Sequence, residues 1–232
     1  MSGRSLVVKY VLAKNKSAVR FRLPASIAIF IFFTVCLFFF SIGNYYNSDE
    51  GVILNGAWRM YNGDQLYTDF FSFIAPGSYW WTELSFLLFG PSYFSARIFS
   101  VLLLALSVIA IYRITVLAGG SKFAAMFGAL MWFFGNILNA VIINHNNHSS
   151  YVATIALLFA VLAVSSKKQA YFFIAGLLVG ITAAFLQTKG LALAFGLSLL
   201  ILGYAFAARI PIMSFLIFLG GFAAVLAAVF LI

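Results

Sequence analysis

The chain has 232 residues, of which 64% are hydrophobic and 8% charged. A soluble domain carries roughly a quarter charged residues, so a water-facing surface is excluded and the apolar surface must meet lipid. The formal net charge is +9, but the basic residues sit mainly at the ends of apolar runs, which points to membrane topology and not to nucleic acid as a partner.

The apolar runs are continuous, not alternating, and many approach a bilayer's thickness. That favours helices over barrel strands. The one cysteine, Cys36, lies in the first run, so there is no intrachain disulfide and no Cys/His zinc pattern. Residues 1–23 form a basic tail, with Arg4, Lys9, Lys14, Lys16, Arg20 and Arg22 and no acid, as expected on the cytoplasmic side next to anionic headgroups. Residues 24–232 form a polytopic membrane domain. A first span is predicted over 24–44, and no small-x-small cleavage site follows it, so it reads as an anchor.

Residues 45–91 are a polar-aromatic outer loop. The second span is predicted over 92–118, capped by Ser92 and ended by Gly119-Gly120. A third covers 123–143, and the segment Asn144-His145-Asn146-Asn147-His148-Ser149 reads as a short loop. The fourth (150–165) ends at Lys167-Lys168, and the fifth (170–187) has Lys189 at its far end. The sixth (191–207) stops before Arg209 and Pro211, and the seventh covers 212–232. With the N-terminus inside, the six basic residues of the tail plus Arg113, Lys122, Lys167, Lys168 and Arg209 make eleven cytoplasmic charges, against Arg59, Arg97 and Lys189 outside. This bias supports both the orientation and the number of spans. The chain stops inside an apolar run, which suggests a fragment or a compact version of a longer family.

All five carboxylates, Asp49, Glu50, Asp64, Asp69 and Glu83, lie in the outer loop. Acids contribute little to orientation, so their clustering reads either as a solvated loop or as a functional face. Asp49-Glu50 directly follow the first span. A short helix is predicted over 50–62, with Ile53, Ala57 and Met60 on one face and Gly63 stopping it. Residues 67–75 read as extended or irregular. Pro76-Gly77 turns the chain, and Ser78 is expected to cap a second short helix ending near Gly90. Both helices are expected to lie on the membrane, with Tyr79-Trp80-Trp81 anchoring in the headgroup belt.

These residues resemble a known family. Ser48-Asp49-Glu50-Gly51, then Gly63-Asp64-Gln65-Leu66-Tyr67-Thr68-Asp69-Phe70, then Ala75-Pro76-Gly77-Ser78-Tyr79 look like the first outer loop of GT-C membrane glycosyltransferases. The closest subgroup is the bacterial relatives of dolichyl-phosphate-mannose protein mannosyltransferases. Leu88-Phe89-Gly90 with Ala96-Arg97, and Gly176-Leu177-Leu178-Val179-Gly180 leading to Thr188-Lys189-Gly190, agree in order and placement. The resemblance covers about residues 25–205 and implies an all-α integral membrane fold, a module of about seven transmembrane helices with two interfacial helices in the first outer loop. Further spans and an outer C-terminal domain, usual in the family, are absent from this sequence.

The resemblance also implies a membrane glycosyltransferase that takes a sugar from a polyprenyl-phosphate donor to a lipid, glycan or protein acceptor by an inverting displacement on the outer face of a bacterial inner membrane. Asp49 matches the family's loop carboxylate and is the expected general base. Glu50 would orient it or bind the acceptor, and like-charge proximity should raise one pKa of the pair. The plainer reading of Asp49 is a helix cap.

Lys189 is the candidate for the donor phosphate, against a snorkelling span terminus. Arg97 is a weaker one, and Arg59 is expected to pair with a loop carboxylate. His145 and His148 are candidates for sugar or phosphate contacts, against a plain polar turn. Asp64, Asp69 and Glu83 are expected to shape the loop, with Asp69 also kept as a substrate contact. No cofactor is expected. Many relatives carry an acid in the second outer loop, sometimes as a metal ligand; this chain has none there, which disfavours a metal mechanism. The rival readings are a transporter or lipid flippase, or a catalytically incomplete fragment or assembly subunit. The span middles carry almost no ionisable group, which argues against transport.

Overall fold

The computed structural model describes residues 23–41, 48–140, 142–207 and 209–231. The tail over 1–22 lies outside them, as does the end of the predicted first span. The described residues form nine helices: α1 (Leu23–Ser41), α2 (Ser48–Tyr61), α3 (Gly77–Phe89), α4 (Tyr93–Leu117), α5 (Lys122–Ala140), α6 (His145–Ser166), α7 (Gln169–Phe185), α8 (Gln187–Phe206) and α9 (Met213–Phe230). Of these, α4, α6 and α8 are long and apolar enough to cross a membrane, and α7 and α9 are shorter apolar helices. Large apolar side chains such as Phe123, Phe127, Phe195 and Phe206 are exposed on their outer faces, where lipid would cover them.

Helix boundaries follow local chemistry. Ser92 caps α4 through a reciprocal box with Ser95, and Gly63 ends α2 with a positive φ of 103°, where a residue with a Cβ would be strained. Two boundaries differ from expectation. The segment 145–149 is not a loop but the first turns of α6, because Asn144 accepts a hydrogen bond from the Asn146 N–H at 2.7 Å and so caps a helix there. Lys189 likewise does not end α7. That helix stops at Phe185, Leu186 is extended at φ −153°, and α8 begins at once, so Lys189 occupies the first turn of α8.

Three apolar clusters hold the bundle. One joins α1, α4, α5 and α6 around Phe33, Leu104 and Tyr151. A second joins α6 to α9 around Phe172, Val179 and Phe218. The third belongs to the segment between α1 and α4: Ile53 and Ala57 of α2 are buried against Ile74, Tyr79, Phe86 and Ala96, with Met60 packed beside them. The predicted α2 face is therefore present, and the loop has its own core. Tyr79 is not an exposed anchor as expected. It is 1% exposed and its hydroxyl shares a 2.8 Å hydrogen bond with Ser72. Ser78 does not cap α3, whose N-cap is Pro76; it is fully buried instead.

Glycines set the closest approaches. A Cβ on Gly176 would overlap the Phe218 carbonyl of α9, and one on Gly221 would overlap the Phe173 carbonyl of α7, so α7 and α9 meet backbone to backbone. Gly176→Val should destabilise the fold by about 1–3 kcal/mol through overpacking. Gly220→Ala, whose Cβ meets nothing within 4 Å, should be neutral or slightly stabilising. Denaturation of the purified protein in detergent measures both.

Candidate functional site

The first turn of α2 carries Asp49 and Glu50 side by side, but the two carboxylates face different surroundings. Glu50 is 3% exposed and Arg97 1%. Arg97 donates from Nε to Oε1 at 3.1 Å and from its terminal nitrogen to Oε2 at 3.0 Å. The Tyr93 hydroxyl donates to Oε2 at 3.3 Å and the Ile143 N–H to Oε1 at 3.3 Å. The guanidinium lies 4.0 Å over the Tyr93 ring. Arg97 and Glu50, both named from sequence for catalysis or substrate, are thus engaged with each other. Burial raises the Glu50 pKa, and the positive charge of Arg97 and its hydrogen bonds pull it back. The rise within the Asp49-Glu50 pair comes from desolvation rather than from the like charge expected.

Asp49 stays half-exposed. Its Oδ2 accepts from Asn144 Nδ2 at 2.9 Å, and the same Asn144 caps α6 through Oδ1. One buried amide therefore connects the loop carboxylate to the start of a membrane helix. His145 follows it in the first turn of α6. Its Nδ1 is buried without a hydrogen-bond partner among the described residues. Lys189 donates to the Asn146 carbonyl at 2.8 Å and to Ser150 Oγ at 2.7 Å, which brings the N-termini of α6 and α8 to one place. Asp49, Asn144, His145 and Lys189 gather at this end of the bundle.

The other candidates lie apart from them. His148 is fully buried, 2.7 Å from Ser100 Oγ and 3.5 Å from Ser78 Oγ, with its ring edge to face with Phe185. It ties α6 to α3, α4 and α7. His148, a candidate for sugar or phosphate contacts, is thus enclosed by protein. Arg59 pairs with Asp64 at 2.6 Å, donates to the Asp69 carbonyl at 3.2 Å and lies 4.6 Å over Phe70. Asp69 accepts the Gln65 N–H at 2.7 Å. Arg59, Asp64 and Asp69 therefore knit the turn after α2. Glu83 does not share that role, since its carboxylate makes no hydrogen bond or ion pair with any described residue. Among the described residues, no three His, Cys, Asp or Glu side chains form a metal-binding group.

Residues 74–232 match the family of dolichyl-phosphate-mannose-protein mannosyltransferases. This is more than half of the chain. The protein belongs to that family. It is an integral-membrane glycosyltransferase by family and by its apolar helices, and the family implies a lipid-linked sugar donor and an acceptor met at the membrane. The match takes in Arg97, His145, His148 and Lys189 and begins after Asp49, Glu50, Arg59 and Asp69. Neither a curated protein nor a solved structure matches the chain.

Asn144 and Tyr93 were missed from sequence. The signal for Asn144 was a cap residue ahead of polar residues and then the apolar run from Tyr151, legible only once 145–149 is read as helix. Removing one partner of the buried pair should be costly. Glu50→Ala is expected to destabilise the protein by about 3–5 kcal/mol, because it leaves the Arg97 charge uncompensated. Arg97→Lys should recover little of the function of arginine, lacking the planar fork. Detergent-denaturation midpoints check both.

Proposed function

We propose that the chain transfers a sugar from a polyprenyl-phosphate donor to an acceptor hydroxyl or amine on the outer face of a bacterial inner membrane, with inversion at the anomeric carbon. What carries the reading is the meeting of Asp49 and Lys189 at the start of α6, the one held through Asn144 and the other through Asn146 and Ser150, in a chain that belongs to a lipid-linked-sugar transferase family. The wider frame is a module of about seven spans, with α2 and α3 lying on the outer surface and the N-terminus in the cytoplasm. The eleven-to-three distribution of basic charge supports that orientation.

In this mechanism Asp49 accepts the proton of the acceptor O–H or N–H while the acceptor lone pair forms the new bond to the anomeric carbon. The bond from that carbon to the phosphate oxygen breaks, and its electron pair leaves with the polyprenyl phosphate. Lys189 and the N–H groups at the starts of α6 and α8 meet the charge that grows on that phosphate. His145, in the first turn of α6, contacts the sugar or phosphate. Glu50 and Arg97 act by holding α2, and so Asp49, at its depth. Asn144 is a positioning residue: its amide holds one Asp49 oxygen, and its second bond, the cap, holds the amide. An apolar cavity of about 400 Å³ beneath α3, lined among others by Trp81, Leu103, Val152, Leu178 and Ile181, has the chemistry to receive the first isoprene units of the donor.

Asp49→Asn should lower sugar transfer from a polyprenyl-phosphate donor by about 10²–10⁴-fold, the usual worth of a positioned base, while leaving the fold intact. Full retained transfer in a correctly inserted protein would sink the assignment. Lys189→Met should cost about 10²–10³-fold if it meets the leaving phosphate.

Asn144 permits a sharper separation. Asn144→Ser keeps a capping oxygen and loses the Asp49 contact, so transfer should fall about tenfold, the equivalent of one ordinary hydrogen bond, at near-normal stability. Asn144→Asp also caps, but sets a like charge against Asp49, and should move the acid limb of the pH–rate profile to higher pH. Stability and pH profiles measured on the same preparations distinguish positioning from capping.

A further inference from the structure

At the other end of α2 the outer loop encloses a second cavity, of about 340 Å³. Asp64, Gln65 and Tyr67 line it from the turn, Trp80 and Glu83 from α3, and Val229 from α9. Met60 also touches it, and from Asp49 to Met60 the helix rises about 16 Å at 1.5 Å per residue. The cavity is therefore separate from the Asp49 cluster, and it meets the apolar cavity beneath α3 only at Trp80, which lines both.

Its charge is unbalanced. Asp64 is engaged with Arg59 at 2.6 Å, but Glu83 has no hydrogen-bonding or ionic partner among the described residues. Partial burial raises its pKa, with no cation to oppose the rise. A partly desolvated carboxylate without a partner costs stability, and the natural complement is a positive group from outside the chain.

Its aromatic walls are held in place. Trp80 and Glu83 are three residues apart on α3, so they share a face. Tyr67 has a φ of 71°, a left-handed conformation disfavoured for a bulky side chain. That conformation is sustained by the Tyr67 hydroxyl donating to the Ile74 carbonyl at 2.8 Å and by its N–H donating to the Phe70 carbonyl at 3.0 Å. Such strain, maintained by surrounding bonds, marks ligand clamps more often than plain loops. The volume falls in the range of small-ligand sites.

We propose that this cavity binds a sugar ring bearing a protonated amine, with the amine at Glu83 and a C–H face of the ring stacked on Trp80 or Tyr67. Gln65 supplies neutral hydrogen-bonding capacity for the ring hydroxyls. Two aromatic faces distinguish this ligand from a simple aliphatic amine, and the single unpaired carboxylate distinguishes it from a neutral sugar. Given the transferase function proposed above, the cavity holds a remote unit of an extended acceptor while another unit reaches Asp49.

The test is calorimetric binding to the full chain in lipid nanodiscs, using a glucosamine trimer with free amines, its fully N-acetylated counterpart and a lysine trimer. The free-amine sugar should bind at least about tenfold tighter than either other probe, since tenfold corresponds to about 1.4 kcal/mol and one charge-paired contact is worth that much. Glu83→Gln should remove that advantage and leave the N-acetylated trimer unchanged. Equal binding of the two sugars, binding of neither, or an equally tight lysine trimer would overturn the proposal, and none of these comparisons needs a variant to fold. The same titration on Asp49→Asn separates the two readings, because binding there should persist whether or not transfer is lost.

Discussion

The arrangement of the segment over residues 48–91 depends on the buried pair between Glu50 and Arg97. Removing two charges from water costs several kcal/mol each, and attraction repays this only when the remaining hydrogen-bonding capacity is also met. Here Glu50 receives both arms of the guanidinium, the Tyr93 hydroxyl and the Ile143 N–H, while the guanidinium face rests on the Tyr93 ring. The value of such a pair lies less in net stability than in specificity, because any shift of α2 against α4 would leave a charge unpaired in a dry place. Three segments distant in sequence meet in it: the start of α2, the first turns of α4 and the end of the α5–α6 connection. Whatever Asp49 does, it does from a position fixed by its neighbour.

A second constraint acts from the membrane helices. Asn144 starts α6 and the extended Leu186 lets α8 start immediately after α7. Both starts fall on the same side of the bundle, and Lys189 bridges them. Helix N-termini present unpaired N–H groups and partial positive charge. A lysine between two of them makes a locally positive site at the same end of the bundle as Asp49, the opposition of charges on which the displacement proposed above relies. The close contact beneath it is also fixed by small residues: a Cβ on Gly77 would sit 2.7 Å from the Ala184 backbone, so α3 rests directly on the end of α7 below the break.

Much of this was readable from sequence, and the losses have physical reasons. The apolar runs, Ser92, Gly63 and the Ile53-Ala57-Met60 face carry local signals, and all appear as helices, a cap, a stop and a buried face. The polar run Asn144 to Ser149 was misread because hydropathy is blind to a helix that continues past the apolar stretch, while the capping geometry that starts it depends on one side chain. Arg97 was read as a basic residue near a span end and His148 as part of a polar segment between spans. Their burial depends on partners 47 and 48 residues away, Glu50 and Ser100, a pairing that no local pattern encodes. Lys189 was singled out for the right environment but assigned to the wrong helix, because a break of one residue leaves almost no trace in composition.

The five acids, first notable only for being gathered in one loop, prove to be in five different electrostatic situations. Asp49 is held by a neutral amide, Glu50 by a buried guanidinium, Asp64 by Arg59, and Asp69 by a backbone N–H. Each of these arrangements supplies its carboxylate with a hydrogen-bond donor, and in two of them the donor is a cation. Among the described residues, Glu83 alone lacks such an arrangement, and it sits in a cavity with two aromatic side chains. A folded loop has no structural need to keep one carboxylate half-dry and unpaired when the others are all satisfied. That exception points beyond the chain, to a ligand that would complete the set.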